Sequence, residues 1–248
     1  MSYILAVAGK GGTGKTTIAA LLISWLNKNK KGSVLAVDAD PNSTLAEALG
    51  VTAKESIGQI VESIAKDPGQ IPGGMSKDHY VEYRIQETLT ESKGFDLLVM
   101  GRPEGPGCYC YVNNVLRGLV KKIADNYEFV VIDNEAGMEH LSRRTMRRAH
   151  CMVLVTDCSA VGLRSVKRIY DLARDLDIKT DKFVLAINRV SNNEGLKKEI
   201  GGIGIEQVFL IPEDKEVLEL SINASPLSNL SSQSVALKAI DKLGEGIW

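Results

Sequence analysis

Apolar residues along this chain gather in short continuous runs, and the runs alternate with stretches of helical period. "YILAVA" (3–8), "SVLAVD" (33–38), "FDLLVM" (95–100), "FVVID" (129–133), "CMVLVT" (151–156), "KFVLAIN" (182–188) and "EQVFLI" (206–211) read as strands. Most lack polar alternation, the pattern of strands covered on both faces. Residues 16–29, 112–125, 163–176 and 232–243 read as helices between them. The alternation predicts an α/β fold: a doubly wound, mostly parallel sheet with helices on both faces, in one domain over 1–248. Residues 66–79, "KDPGQIPGGMSKDH", carry Pro and Gly without a period and read as a surface insertion.

Composition narrows the picture. Hydrophobic residues make up 44% of 248, enough for a core without disulfide staples. Thirty basic residues stand against 31 acidic ones, so no global field favours nucleic acid or an anionic membrane. The start, "MSYILAVAGKGG", lacks the basic region of a signal peptide. No apolar run approaches the ~20 residues needed to span a bilayer. Four cysteines without a secretion signal argue for a reducing, cytoplasmic setting.

The first strand runs into "GKGGTGKT", Gly9 to Thr16, which fits G-x-x-x-x-G-K-[ST] between a strand and a helix. Such a loop closes backbone amides around phosphate oxygens, here those of Gly11, Gly12, Thr13, Gly14, Lys15, Thr16 and Thr17. Lys15 reaches the β- and γ-phosphates, the Thr16 hydroxyl can ligate Mg²⁺, and the helix dipole adds to both.

With its second lysine, Lys10, "KGGTGKTT" resembles the deviant Walker A signature of the SIMIBI-class P-loop ATPases. These include the ParA/MinD proteins, the arsenite-pump ATPase and the nitrogenase iron protein. "VDADP" and "VVIDNEAG" are similar to the class's switch I and Walker B/switch II segments, so the resemblance spans nearly the whole chain. It implies a homodimer in which Lys10 reaches the partner's nucleotide. It also implies that Asp40 positions the attacking water and that Asp133 holds Mg²⁺ through water. Asp38 and Asp40 sit at the carboxyl edge of a strand, where ligands bind in such sheets. Guanine-specific loops of the class show N-K-x-D. Here "INRVSNN" keeps Asn188 but has Ser191 for the aspartate, and an amide suits the adenine edge, so ATP/ADP is expected over guanine nucleotides. "IPED" (211–214) either lines the base pocket, through Pro212 and Glu213, or simply forms the turn before a helix.

"PEGPGCYCYVNN" (103–114) places Cys108 and Cys110 in a Gly-Pro-rich stretch. A redox pair is one reading, though C-x-C strains a disulfide. A metal site is the other: a closed thiolate site takes four ligands, and a two-fold dimer supplies two pairs from one sequence. Cys151 and Cys158 read as ordinary thiols. The segments "GKGGTGKTT", "DADPNSTL", "GPGCYC" and "NEAGMEHLSRR" closely resemble the CooC-type nickel-insertion ATPases. That resemblance implies Ni²⁺ or Zn²⁺ at Cys108 and Cys110, and carbon monoxide dehydrogenase as the client. Met138 and His140 are either auxiliary ligands or packing and surface groups. Arg143/Arg147 and Arg144/Arg148 are either a solvated helical face or a docking face for an acidic partner. Two rival functions stay open: an electron carrier with a bridging iron–sulfur cluster, and a ParA/MinD-like positioning ATPase. The balanced charge and the C-terminus "DKLGEGIW", which has no basic amphipathic helix, speak against nucleic acid and membrane as partners.

Overall fold

The computed structural model describes residues 2–30, 32–102, 109–136, 148–176, 178–191 and 200–248, with backbone alone at 109–111, 113 and 121. Its centre is an eight-stranded sheet: β1 (Tyr3–Gly9), β2 (Val34–Ala39), β3 (Thr90–Ser92), β4 (Phe95–Val99), β5 (Phe129–Asn134), β6 (Arg148–Thr156), β7 (Lys179–Val190) and β8 (Gln207–Pro212). The order across the sheet is β3-β4-β2-β5-β1-β6-β7-β8, parallel throughout except for the β3–β4 hairpin. The chain winds outward from β1 to β4 and returns to β5 beside β1. It then winds out on the other side to β8. That reversal opens a crevice at the carboxyl ends of the strands, next to β1.

Helices α1 (Lys15–Asn29), α2 (Leu45–Leu49), α3 (Ile57–Lys66), α4 (Lys77–Thr88), α5 (Tyr109–Ile123), α6 (Ala160–Asp175), α7 (Lys215–Ile222) and α8 (Val235–Ile247) cover the sheet. Strand residues alternate between the two faces. On β1, Leu5 and Val7 join a core with α1, α2 and α8, while Ala6 and Ala8 face α6. On β2, Leu35 and Val37 pack against α3, α4 and α5. Both faces are therefore buried, which is why the strand sequences are continuously apolar.

All seven sequence-predicted strands are present, and β6 and β7 start three residues earlier than expected. The hairpin partner β3 went unread because it is three residues of polar composition. Inside 66–79, Pro68–Gln70 forms a single 3-10 turn, and α4 begins at Lys77 under a Ser76 cap, so the insertion is shorter than its composition implies. α5 starts at Tyr109, which places Cys110 in helical backbone rather than in the loop expected for it. Arg148 opens β6 and pairs with Asp181 at 3.7 Å, so it is not a helical i, i+4 partner of Arg144.

At the amino end of the sheet, Trp25 and Trp248 stack with centroids 5.3 Å apart, and Phe129 meets Trp248 edge-on. The Tyr3 hydroxyl donates to the Ile247 carbonyl, which ties α8 to β1. Among the described residues no helix is long and apolar enough to cross a membrane.

Candidate nucleotide site

The glycine-rich turn between β1 and α1 sits in the crevice, with Gly12 at φ +79° and Gly14 at φ +92°, left-handed conformations that a Cβ would strain. Three of the loop's carbonyls accept hydrogen bonds from side chains. Lys10 O accepts from the Thr13 hydroxyl at 2.9 Å and from Lys15 Nζ at 3.5 Å. Thr13 O accepts from Asn188 Nδ2 at 2.9 Å, and Gly12 O from Arg189 Nη1 at 3.1 Å. The first amides of α1 have no intrahelical acceptor, and its first turn carries no acidic residue. Amides, helix dipole and the Lys15 ammonium together form an anion cradle. Burial pulls the Lys15 pKa down, opposed by the charges of Asp133, Asp40 and Glu135. Lys10 is exposed at the mouth of the loop.

Asp133, at the end of β5, is fully buried. Its Oδ2 accepts from the Thr16 hydroxyl at 2.6 Å, while Oδ1 has no hydrogen-bond partner among the described residues. Burial pushes its carboxyl up to about 6, against the Thr16 bond and the Lys15 charge. An orphaned buried oxygen beside a hydroxyl is a hard-oxygen donor set of the kind Mg²⁺ takes alongside phosphate, so these residues fit that ion. Bound there with a nucleotide, Mg²⁺ would neutralise charge on the β- and γ-phosphate oxygens.

Asp38, the register partner of Asp133, is also fully buried, and burial pushes its carboxyl up to about 7 against hydrogen bonds from the Leu45 and Asp40 amides. Asp40 follows, half-buried, in the turn between β2 and α2; its Oδ1 accepts from Asn42 N–H and Asn42 Nδ2, both at 2.9 Å. Thr44, the residue before α2, lies 3.5 Å from the Thr16 hydroxyl. The structure therefore brings the phosphate loop, Asp40 and Asp133 to one edge, as their sequence placement anticipated.

A cleft of about 240 Å³ adjoins the loop, lined by residues that include Thr17, Asn188, Arg189, Pro212, Glu213 and Leu218. Asn188 and "IPED" thus meet in one pocket. Asn188 also braces the phosphate loop through Nδ2, a second task its sequence position did not reveal. Asp214 is the helix-start residue of that segment: it accepts from Glu216 N–H at the start of α7 and from Ala236 N–H at the start of α8. One contributor escaped sequence reasoning: Arg189, at φ +56°, latches Gly12 from an irregular step in β7. Asp38, read with Asp40 at the ligand-binding edge, instead accepts from the backbone amides of Asp40 and Leu45.

Cys108, Met138, His140, Arg143, Arg144 and Arg147 lie outside the described residues, as does the side chain of Cys110. Cys151 is buried in the core under α1, where burial pushes its thiol up to about 12, and Cys158 is half-buried beyond β6. Both match the reading of ordinary thiols.

Residues 4–227 match the family model described as the CobQ/CobB/MinD/ParA nucleotide binding domain. An uncharacterized ATP-binding protein of Methanocaldococcus jannaschii is 44% identical over 248 residues, 98% of each chain. The carbon monoxide dehydrogenase accessory protein CooC of Rhodospirillum rubrum is 34% identical over 187 residues, 71% of each chain. Among solved structures, the septum site-determining protein MinD of Pyrococcus horikoshii, complexed with Mg-ADP, is similar with a TM-score of 0.73 at 21% identity. That alignment covers 100% of this chain and 96% of the other, and the likeness is one of fold.

Proposed function

The chain belongs to the CobQ/CobB/MinD/ParA nucleotide-binding family and is an ATPase of the MinD/ParA class; from that premise we propose that it is a dimerising metallochaperone that delivers nickel to carbon monoxide dehydrogenase. The observation that supports this reading is the 34% identity to CooC, a carbon monoxide dehydrogenase accessory protein, in a chain that carries the C-x-C pair of "GPGCYC".

In this reading the 248 residues act as one ATPase domain. ATP lies in the loop cradle with its base in the cleft of Thr17, Asn188, Pro212 and Glu213. Lys15 and the loop amides neutralise phosphate charge, Thr16 and Asp133 hold Mg²⁺, and Asp40 positions the attacking water. Lys10 crosses to the partner subunit's nucleotide. Closure by ATP brings together two pairs of Cys108 and Cys110 around Ni²⁺ or Zn²⁺, and hydrolysis separates them, so the nucleotide state sets how many thiolates meet. The protein works in the cytoplasm, without nucleic acid or membrane as partner.

Metal analysis with and without ATP, alongside oligomeric state by light scattering, tests the proposal. The expected result is about one metal per dimer, bound more tightly with ATP. Stoichiometric iron with brown colour would replace this reading with electron transfer. ATP-driven dimers that bind no metal would replace it with positioning.

A further inference from the structure

Asp38 and Asp133 sit side by side on β2 and β5. They share a face of the sheet: Val34 and Ala36 of β2 and Val131 of β5, at even spacings before them, pack in the core around α1. Paired buried carboxylates beneath a phosphate loop invite the view that both serve a metal. Their hydrogen bonds separate them. Asp133 keeps one oxygen open, whereas Asp38 keeps none: Oδ1 accepts from Asp40 N–H at 3.1 Å and Oδ2 from Leu45 N–H at 2.9 Å. These donors bracket the turn of residues 40–44. Leu45 is the first residue of α2, so its N–H has no intrahelical acceptor, and the Thr44 side chain does not cap the helix. The Asp38 backbone is itself pinned, since its carbonyl accepts from Met100 N–H at 2.8 Å beyond β4.

We infer that Asp38 is a positioning residue: its carboxylate clips both ends of the 40–44 turn to the sheet and so fixes where the Asp40 carboxylate stands against the phosphate loop. The inference rests on the reading of Asp40 as the water-positioning group. Asp40 engages Asn42 through Oδ1, and no hydrogen bond is formed by its Oδ2 among the described residues, which leaves that oxygen for water. An amide at position 38 cannot do the same work. Its nitrogen donates, so one of the two backbone N–H groups would face another donor.

The test compares steady-state ATP hydrolysis, titrated with Mg²⁺, in the parent, Asp38→Asn, Asp133→Asn and Asp40→Ala. Amide hydrogen exchange of the parent is measured beside it. Asp38→Asn should lower kcat by about 100-fold, the cost of roughly 1 Å of misplacement. KM for ATP and the half-saturating Mg²⁺ should each move by less than about threefold, because the ground-state complex is kept. Asp133→Asn should raise the Mg²⁺ requirement. The Leu45 amide of the parent should be protected from exchange, a readout that does not depend on any variant folding. Near-parental hydrolysis by Asp38→Asn beside an inactive Asp40→Ala would overturn the inference alone. So would an Mg²⁺ requirement raised as in Asp133→Asn, or an unprotected Leu45 amide. Parental hydrolysis by Asp40→Ala would overturn the water-positioning reading, and the inference with it.

Discussion

Replacing Thr16 with Val removes a hydroxyl and changes the side-chain shape very little. The hydroxyl donates at 2.6 Å to Asp133 Oδ2, and Oδ1 has no partner. The variant therefore leaves a fully buried carboxylate with no hydrogen-bond donor among the described residues and with Lys15 as the cation that favours its charge. Losing a hydrogen bond to a buried charged group costs about 1.5–3 kcal/mol. The cost depends on pH with a definite sign. Asp133 titrates near 6 in the folded protein against an ordinary 3.8. Between those values the folded state binds more protons than the unfolded state, so this group lowers stability as pH rises. Removing the Thr16 donor raises the folded pKa further and extends that loss upward. At pH 8 the full penalty applies. At pH 5 the carboxyl is protonated in both folded proteins, and only a neutral hydrogen bond is missing, about 1 kcal/mol or less. Urea unfolding of nucleotide-free protein in chelator, at pH 8 and pH 5, measures the difference. Asp38, pushed up to about 7 by burial and in part by the Asp133 charge, is mostly ionised at pH 8 and protonated at pH 5 in both proteins, so its contribution to the difference between the two pH values is small. An equal penalty at both pH values would refute the reasoning, because it would mean that packing and not carboxylate solvation carries the cost.

Gly14→Ala should destabilise by about 2–4 kcal/mol in urea unfolding, from left-handed backbone strain plus the displaced Asn188–Thr13 bond, because its Cβ would run into Asn188 Nδ2. Lys10→Ala should leave nucleotide binding by the monomer intact and abolish ATP-driven dimerisation in light scattering; parental dimerisation would remove its role across the interface. Cys108→Ala/Cys110→Ala should abolish metal-driven dimers in a metal titration and spare ATP-driven ones. Cys151→Ala should leave metal stoichiometry unchanged.

Much of the fold was legible because burial on both faces forces continuous apolar runs, as in β1, β2, β5 and β6; the edge strand β8 carries an apolar run although Gln207 and Leu210 are exposed. What escaped had weaker signals. α2 is one turn long, and α4 has a polar composition with Tyr80, Val81 and Ile85 buried at helical spacing. α3 was readable and overlooked: Ser56 and Gln59 form a capping box, and Ile57, Ile60, Val61 and Ile64 make one face. In the site, "GKGGTGKT" announced its own geometry because Gly12 and Gly14 take the left-handed backbone that the turn needs. The division of labour between Asp38 and Asp133 did not show, since two aspartates at strand ends look alike until the backbone amides around each are placed. Arg189 was hidden for a similar reason, because its left-handed backbone belongs to the irregular end of β7 and leaves no mark in composition.

The stacked indoles of Trp25 and Trp248 are the chain's two tryptophans, and they lie at the amino end of the sheet, opposite the phosphate loop. Tryptophan emission from this protein is therefore the signal of one chromophore pair at one pole. It should change sharply when α1, β1 and α8 come apart and stay nearly silent when a ligand enters the other pole. Denaturation curves can be read directly from that emission, while nucleotide titrations need an optical label of their own.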